Sequence, residues 1–300
     1  MTPVFRDAPR AIALVRALAR QDPPPDTTVR IVLVDDGSGD GTAEKIDQAL
    51  IGFADAKLLR LRVNQGRSIA RNAGAFACEG DLLLFIDCDC LPADSHLLAS
   101  HLKVMRPGVA ASVGPVTGND DGFWHRYQCE ASARRARWYA KNAFYTGSSQ
   151  NMMVRRDAFM ACGGFDPVFR SYGFEDRDLL LRLASEGRVT WAAGAFVKHT
   201  DTLDARVVSC KMVEAGGEGA RIFSARYPDA YRLLGYGILD VRKHRWLVPI
   251  AAVGHRVLSR VANSVDRFVR ARGLPYLLKK WLVKSLAGLS YLVGTYEKRR

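Results

Sequence analysis

Three hundred residues at 48% apolar composition are enough to bury the core of one large α/β domain, alone or with a smaller appendage. The formal charge of +13 is unevenly placed: residues 201–300 hold 19 Lys and Arg against 8 Asp and Glu, a net of +11, and only +2 remains for the first two hundred. A basic terminal third beside a nearly neutral body points to an anionic surface as partner, membrane headgroups or nucleic acid, with a merely solvated basic face as the plain alternative. The six cysteines, at 78, 88, 90, 129, 162 and 210, form no C-x-x-C pair and no zinc spacing, so they are expected to be reduced thiols of a cytosolic protein. The longest apolar stretch, 285–296, falls short of the roughly 18 residues a spanning helix needs, which argues against a membrane span. The first residues lack a signal peptide's charged start and apolar core, which argues against secretion.

Residues 9–20 carry apolar side chains at helical spacing (Ile12, Leu14, Val15, Leu18) and stop at Asp22-Pro23-Pro24-Pro25. The run 29–34 is short, β-branched and apolar and ends at Asp35-Asp36-Gly37-Ser38, the pattern of a buried parallel strand reaching a loop. Strand and helix then alternate: helix 42–51, strand 57–61, helix 68–78 closed by Gly80, strand 82–86. This alternation predicts a mostly parallel, doubly wound sheet flanked by helices. Beyond a strand at 109–113 the pattern loosens into a polar and aromatic stretch, 123–145, followed by a strand at 151–154 and Gly163-Gly164-Phe165-Asp166. A helix over 175–185 with Gly187 behind it leads into a strand over 189–197. Residues 201–300 read as helices over 204–226, 250–271 and 275–297, broken by Pro228, Pro249 and Pro275. The expected division is an α/β domain over 1–203 and a basic helical extension over 204–300. The opening strand is represented only by residues 1–5, as though the chain began inside it, and stability is expected to suffer accordingly.

In doubly wound sheets ligands bind beyond the carboxyl ends of strands, where two acidic clusters sit: Asp35/Asp36 and Asp87/Asp89. Asp87-Cys88-Asp89 follows the strand LLLFI directly, and alternate residues of an extended chain point the same way. Two hard oxygen donors so placed suit Mg²⁺ or Mn²⁺, with water and phosphate oxygens completing the shell. An isolated D-x-D would be a pair of turn acids; the strand in front and the second acidic cluster argue otherwise. Asp-Gly-Ser is by itself an ordinary turn signal, although a carboxylate there can accept from a base N–H or a ribose hydroxyl. Gly37-Ser38-Gly39-Asp40-Gly41 lacks a P-loop lysine and the dinucleotide spacing. Glu175-Asp176 opens an amphipathic helix with Leu179, Leu180 and Leu183 as its buried stripe and an Asp178–Arg182 pair expected on its outer face. Acids in a first turn are favoured by the helix dipole, so a well-capped helix is the plain reading. What sets this one apart is the glycine-rich run in front, 162–166 and 173–174, which permits close approach of a ligand.

Over about residues 2–200 these segments together resemble an inverting family 2 glycosyltransferase of the GT-A type. The resemblance rests on Pro3-Val4-Phe5, VDDGS at 34–38, NQGRSIARNAG at 64–74, FIDCDC at 85–90, NMMVRRDAF at 151–159, GGFD at 163–166 and FEDRDLLLRL at 174–183. It implies a Rossmann-like GT-A fold in which Asp36 bonds the nucleobase, Pro3 and Phe5 line the base pocket, and Asp87 meets ribose or metal. Asp89 would ligate Mn²⁺ or Mg²⁺ at the diphosphate, and Asp176 would be the general base, with Glu175 beside it. Arg67 and Arg71 stand where a cation could meet nucleotide or phosphate, though Arg71 could equally be a helix-face residue. His199 resembles a late histidine that supplements the metal site in some relatives, while a lone histidine is more often structural. Cys90 departs from the acid many relatives carry there. Arg242-Lys243-His244-Arg245-Trp246 echoes the Q-x-x-R-W motif of processive synthases, but its first residue is Arg and no spanning helices follow. It is read as basic surface, and transfer of a single sugar is expected.

The implied donor is a nucleoside diphosphate sugar, UDP-, GDP- or dTDP-linked. The acceptor would be a glycan, lipid or small molecule in the synthesis of cell-envelope polysaccharide, glycolipid or a related glycoconjugate. The stretch 123–145, with Trp124, Tyr127, Trp138, Tyr139 and Tyr145 among arginines, is either an acceptor surface or a packing helix. The basic C-terminal helices carrying Trp246, Trp281 and Tyr291 resemble an interfacial contact with anionic lipid. A cytoplasmic protein, peripheral on the inner face of the plasma membrane and with no nucleic-acid partner, is therefore expected. A nucleotidyltransferase of related architecture would want a glycine-rich triphosphate loop after the first strand, which residues 6–10 do not supply. A non-catalytic membrane-surface protein would leave both acidic strand ends unexplained.

Overall fold

The apolar run that ends at Asp35 is a strand because both of its faces are covered. In the computed structural model, which describes residues 1–119, 122–141 and 146–297, β1 (Thr2–Val4), β2 (Ile31–Asp35) and β3 (Ala56–Arg60) pair in parallel, with Pro3 beside Val34 and Val34 beside Leu59. Val32 and Val34 enter one core while Ile31 and Leu33 enter another, the period-two alternation of a strand buried on both sides. Helices α1 (Ala8–Leu18) and α2 (Thr42–Leu50) bring Leu14, Val15 and Ile46 to the second core. Helix α3 (Arg67–Phe76) brings Ala70 and Ala75 to the first. It lies close on β2 because residue 74 is glycine: a Cβ there would stand 2.9 Å from the Val34 side chain.

Met1 ties β1 to the rest of the sheet, its ammonium donating to the Leu84 carbonyl at 2.7 Å and its carbonyl accepting from Ile86 N–H at 3.2 Å. These partners lie on β4 (Leu82–Ile86). Two short strands, β5 (Cys90–Pro92) and β7 (Val116–Gly118), flank helix α4 (Leu97–Val104) and β6 (Val109–Val113) in the chain. Next come α5 (Phe123–Tyr139), β8 (Asn151–Arg155), α6 (Arg156–Ala161), α7 (Glu175–Glu186), β9 (Arg188–Trp191) and β10 (Val197–His199). Strand β8 runs antiparallel to both β4 and β6, and β9 parallel to β6. Met1 thus joins the sheet β1-β2-β3 to a four-stranded sheet of order β4-β8-β6-β9.

The expected strand over 189–197 is in fact two. Ala195 N–H closes a turn onto the Ala192 carbonyl at 3.0 Å, and the chain leaves β6 to join the small sheet β5-β10-β7. The run Ala192-Ala193-Gly194-Ala195 has no polar turn residue, so its apolar reading hid the break. The consequence is functional: β10 sets His199 directly opposite Cys90.

Residues 1–121, 128–170 and 176–201 form one compact unit, and 122–127, 171–175 and 202–300 form another. The second is helical among its described residues: α8 (Ala205–Gly216), α9 (Glu218–Arg226), α10 (Pro228–Leu233), 3-10 turns at Tyr236–Leu239 and Arg245–Leu247, α11 (Val248–Arg270) and α12 (Tyr276–Glu297). The single helix expected over 204–226 is split at Gly217, whose backbone leaves the helical region at φ −72°, ψ −131°. Its neighbour Gly216 packs against the α12 backbone, where a Cβ would stand 3.0 Å from Thr295 N. Pro228 and Pro249 do not break helices but open α10 and α11, the first-turn place where a missing N–H costs nothing.

Three further expectations change here. Tyr291 is buried, its hydroxyl 2.6 Å from that of Tyr231, so it is no interfacial anchor. Arg242 is not open basic surface, for its guanidinium and backbone N–H hold Asp240 at 2.8–2.9 Å. Of the α5 aromatics, Phe123, Trp124 and Tyr127 pack in the core of the second unit and Tyr139 in that of the first. These four pack, one of the two roles expected for the stretch; Trp138 is half-buried, and Tyr145 lies outside the described residues. No helix among the described residues is long and apolar enough to cross a membrane.

Candidate active site

The carboxyl ends of β2 and β4 carry the acidic residues, and the loops that follow are tied down by those same side chains. Asp35 accepts from the Ser38 hydroxyl and from Ser38 N–H at 3.3 Å. Gly37, at φ +69°, runs so close to the backbone of Val63 and Asn64 that no side chain fits. Asp36 donates its own N–H to Val4 O at 2.8 Å, and its carboxylate accepts from Gln65 N–H at 2.8 Å and Gly66 N–H at 2.9 Å. Asp36 therefore binds the end of β1 to the start of α3. Pro3 is half-buried beside Val34, while Phe5 is 43% exposed with the Arg6 guanidinium 5.0 Å from its ring centre.

Helix α3 presents an exposed Arg67 at its first turn and, one turn on, a buried Arg71. The Arg71 guanidinium donates to Asp87 at 2.7 Å and stands 3.9 Å from Asp176, with the Phe165 ring 5.2 Å away. The side chain brackets two carboxylates, which a plain helix-face residue would not do. Asn72 holds the glycine-rich loop, donating to Phe165 O at 2.7 Å and accepting from Phe165 N–H at 2.9 Å. Gly164 sits at φ +69° against that same Asn72 side chain. Asp178 and Arg182 complete the clamp from α7. Asp178 is fully buried rather than on the outer face, and Arg182 reaches past it to the carbonyls of Cys162 and Gly164 at 2.6 and 2.7 Å.

After Ile86 the chain turns instead of extending, with Cys90 N–H donating to Asp87 O at 2.9 Å. Asp87 and Asp89 consequently take different partners. Asp87 goes to Arg71, and Asp89 faces His199, Oδ2 to Nε2 at 3.3 Å. His199 is buried, and its Nδ1 has no hydrogen-bond partner among the described residues. Between the two acids, burial and then the charges of Asp89 and Asp87 push the Cys88 thiol up to about 12, so it stays protonated at neutral pH.

Asp176 lies in the first turn of α7 and is gripped by two hydroxyls, Ser149 Oγ to Oδ1 at 2.5 Å and Ser148 Oγ to Oδ2 at 3.2 Å. Glu175 belongs to the second compact unit and is buried. Sequence reasoning missed both serines. The pairing of Ile86 with Asn151 carries residues 148 and 149 past the end of β4, and no local pattern in Gly147-Ser148-Ser149 reports that register. Arg71, Asp87, Asp89, Asp176 and His199 are thereby linked through successive contacts of 2.7–3.9 Å and chain adjacency.

A sequence profile described as glycosyl transferase family 2 matches residues 1–172. The chain belongs to that family. Among its relatives, the pre-mycofactocin glycosyltransferase of Mycobacterium tuberculosis is 27% identical over 209 residues, 67% of this chain and 43% of that protein. Glycosyltransferase AglE of Haloferax volcanii is 32% identical over 166 residues, 54% of each. The chain thus spans about half or less of the length of these relatives. The mannosyltransferase PcManGT of Pyrobaculum calidifontis, solved with GDP-Man and Mn²⁺, is similar in fold, with a TM-score of 0.65 at 17% identity over 99% of this chain and 85% of that one. Residues 1–349 of Staphylococcus aureus TarS, solved with UDP-GlcNAc, superpose with a TM-score of 0.53 at 15% identity over 99% and 90%. The fold is that of the GT-A glycosyltransferases.

One neighbour of this fold is solved with Mn²⁺, and the residues here suit such an ion in part. Among the described residues no group of three or more His, Cys, Asp and Glu side chains stands assembled for a metal. Asp89 and His199 nevertheless juxtapose one carboxylate and one imidazole at 3.3 Å, with the second imidazole nitrogen buried. Two protein donors are what a divalent ion needs when water and phosphate oxygens fill the rest of its shell.

Proposed function

We propose that this protein is an inverting, metal-dependent glycosyltransferase that moves one sugar from a nucleoside diphosphate sugar to an acceptor hydroxyl, with residues 1–203 as catalytic domain and 204–300 as a basic extension. The observation that carries the reading is the Arg71 bracket, because a buried cation joining the D-x-D strand end to Asp176 brings a donor site and a base into one register. On this reading Phe5 and Pro3 cover one face of the nucleobase, Asp36 offers it an acceptor oxygen, and Asp87 meets the ribose or the metal. Arg67, exposed at the start of α3, meets phosphate. Asp89 and His199 would hold Mn²⁺ or Mg²⁺, which would supply Lewis-acid stabilisation to the departing diphosphate.

Asp176 takes the proton of the attacking hydroxyl. Its Oδ2, bonded only loosely to Ser148, is the less encumbered oxygen, while Ser149 and Arg71 fix the orientation of Oδ1. Attack opposite the leaving group through an oxocarbenium-like state needs no protein nucleophile and inverts the anomeric centre in one displacement. Glu175, buried beside the base, is assigned no proton transfer. The UDP, GDP-Man and UDP-GlcNAc held by the structural neighbours support a donor of this class, and their fold supports Asp36, Asp89 and Asp176 serving one pocket. The acceptor class, whether glycan, lipid or small molecule of envelope glycoconjugate synthesis, follows from location: the basic extension would hold the enzyme on the anionic inner face of the plasma membrane.

The reading is tested by a thermal-shift panel of UDP-, GDP- and dTDP-sugars with Mn²⁺, followed by donor hydrolysis. Stabilisation by one nucleotide family only with metal, and turnover of that donor, is the expected result. No stabilisation by any of them would remove the reading.

A further inference from the structure

The second unit ends in a helical hairpin whose inner and outer surfaces differ sharply in character. Val265 and Val269 of α11 pack with Val283 and Leu286 of α12. Lys279 Nζ caps the Ala271 carbonyl at 2.7 Å, so the turn at 271–275 is anchored to its own helices. Around that turn four large apolar side chains point outward: Phe268, Leu277, Leu278 and Trp281, with Leu277 71% and Trp281 64% exposed. Nothing in a monomeric soluble fold calls for such a group at one place.

The charge around it has a single sign. From residue 267 to 284 the chain has six Lys and Arg and no acid, and no acid follows before Glu297. Arg270 is already held by Asp266 at 2.7 Å, but Arg267, Arg272 and Lys284 stand exposed. A nucleic acid would be met by the cations without needing the leucines, and an apolar protein groove would use the leucines without needing an acid-free surround. Apolar insertion flanked by cations, with an indole at the boundary, is the combination that suits an anionic bilayer.

Resting on the membrane-surface reading above, we infer that the α11–α12 turn is the element that enters the bilayer: Phe268, Leu277, Leu278 and Trp281 bury in the headgroup region while Arg267, Arg272 and Lys284 meet anionic lipid. The other exposed indole, Trp246, stands outside this element and takes no part.

The test is co-sedimentation of the full chain with vesicles of phosphatidylcholine alone or of equal parts phosphatidylglycerol and phosphatidylcholine. The wild type should favour the anionic vesicles. Leu277→Ala/Trp281→Ala and Arg272→Glu/Lys284→Glu should each lower that partitioning by about tenfold or more, whereas Trp246→Ala should not. Equal donor hydrolysis without lipid, in all variants, checks that they fold. If the wild type binds anionic vesicles and both turn variants bind as well, or Trp246→Ala alone loses binding, the assignment of the turn is overturned and membrane association stands through another surface. If the wild type ignores both vesicles, or binds duplex DNA in their place through the same cations, the turn and the membrane reading fall together. Neither outcome touches the transferase reading, which hydrolysis reports separately.

Discussion

Two arginine–aspartate clusters in this protein look alike in composition and differ in how far their carboxylates are closed off from solvent. In the helical unit, Asp240 is buried and accepts from Arg242 twice, from Arg242 N–H and from the Tyr231 hydroxyl, all within 2.8–2.9 Å. Although burial alone would raise it, these bonds from Arg242 and Tyr231 hold its carboxyl below the usual range. In the α/β unit, Arg71 bonds Asp87 at 2.7 Å and stands 3.9 Å from Asp176, which Ser148 and Ser149 also grip, and both carboxylates keep about a fifth of their surface open. A polar network closed on itself stabilises a fold, and one left partly open at a strand end keeps lone pairs for a ligand or a proton.

Charge removal should break this likeness most forcibly. Asp176→Asn is expected to lower kcat by about 10²–10⁴ while the donor still shifts the melting temperature. In Asp240→Asn, by contrast, turnover per folded molecule should be unchanged and stability should fall by about 3 kcal/mol, since Arg242 loses its counter-charge. Steady-state kinetics and urea unfolding on the two variants check both halves.

A second closed network sharpens the contrast through pH. His101 is buried between Ser112 at 2.8 Å and Asn151 at 2.9 Å, and burial lowers it to about 4 from an ordinary 6.5. The fold thus keeps this ring neutral where the unfolded chain binds a proton. Its contribution is complete above pH 6.5 and is lost as pH falls toward 4, by about 1.4 kcal/mol per pH unit and roughly 3 kcal/mol in all. Urea midpoints measured at pH 7.5, 6 and 5 should decline along that slope, and His101→Gln should flatten it.

The smallest effect concerns the grip on the base. Ser149→Ala should reduce kcat about tenfold, the worth of one hydrogen bond to a charged acceptor, with donor affinity unchanged and Ser149→Thr restoring the rate. A loss of donor affinity instead would assign Ser149 to the donor pocket.

Much of this was legible from the chain alone, for reasons specific to each place. The strands ending at Asp35 and Ile86 are buried on both faces, so their apolar runs are continuous and their ends are sharp. The motif residues Asp36, Arg71, Asp87, Asp89 and Asp176 stand out because acids and arginines beside apolar strands are costly without a purpose. Less legible was what each side chain bonds. Asp87 and Asp89 were expected to share one side of an extended chain, but the backbone turns at Cys88 and parts them. Ser148 and Ser149 depend on a strand register that no local pattern encodes, and the outward expectation for Asp178 failed because Arg182 has loop carbonyls to reach inward for. In the helical unit, Tyr291 could be told from Trp281 only by knowing which face of α12 meets Tyr231.

On the proposed function, the Arg71 bracket positions the reacting groups and the Arg242 bracket only holds the fold. The direct measurement is donor hydrolysis with Mn²⁺, normalised to folded protein, for Arg71→Met beside Arg242→Met. Turnover should fall by about 10² or more in the first, as for removal of a preorganised charge, and stay at the wild-type level in the second. Wild-type turnover in Arg71→Met, or an equal loss in both variants, would contradict it.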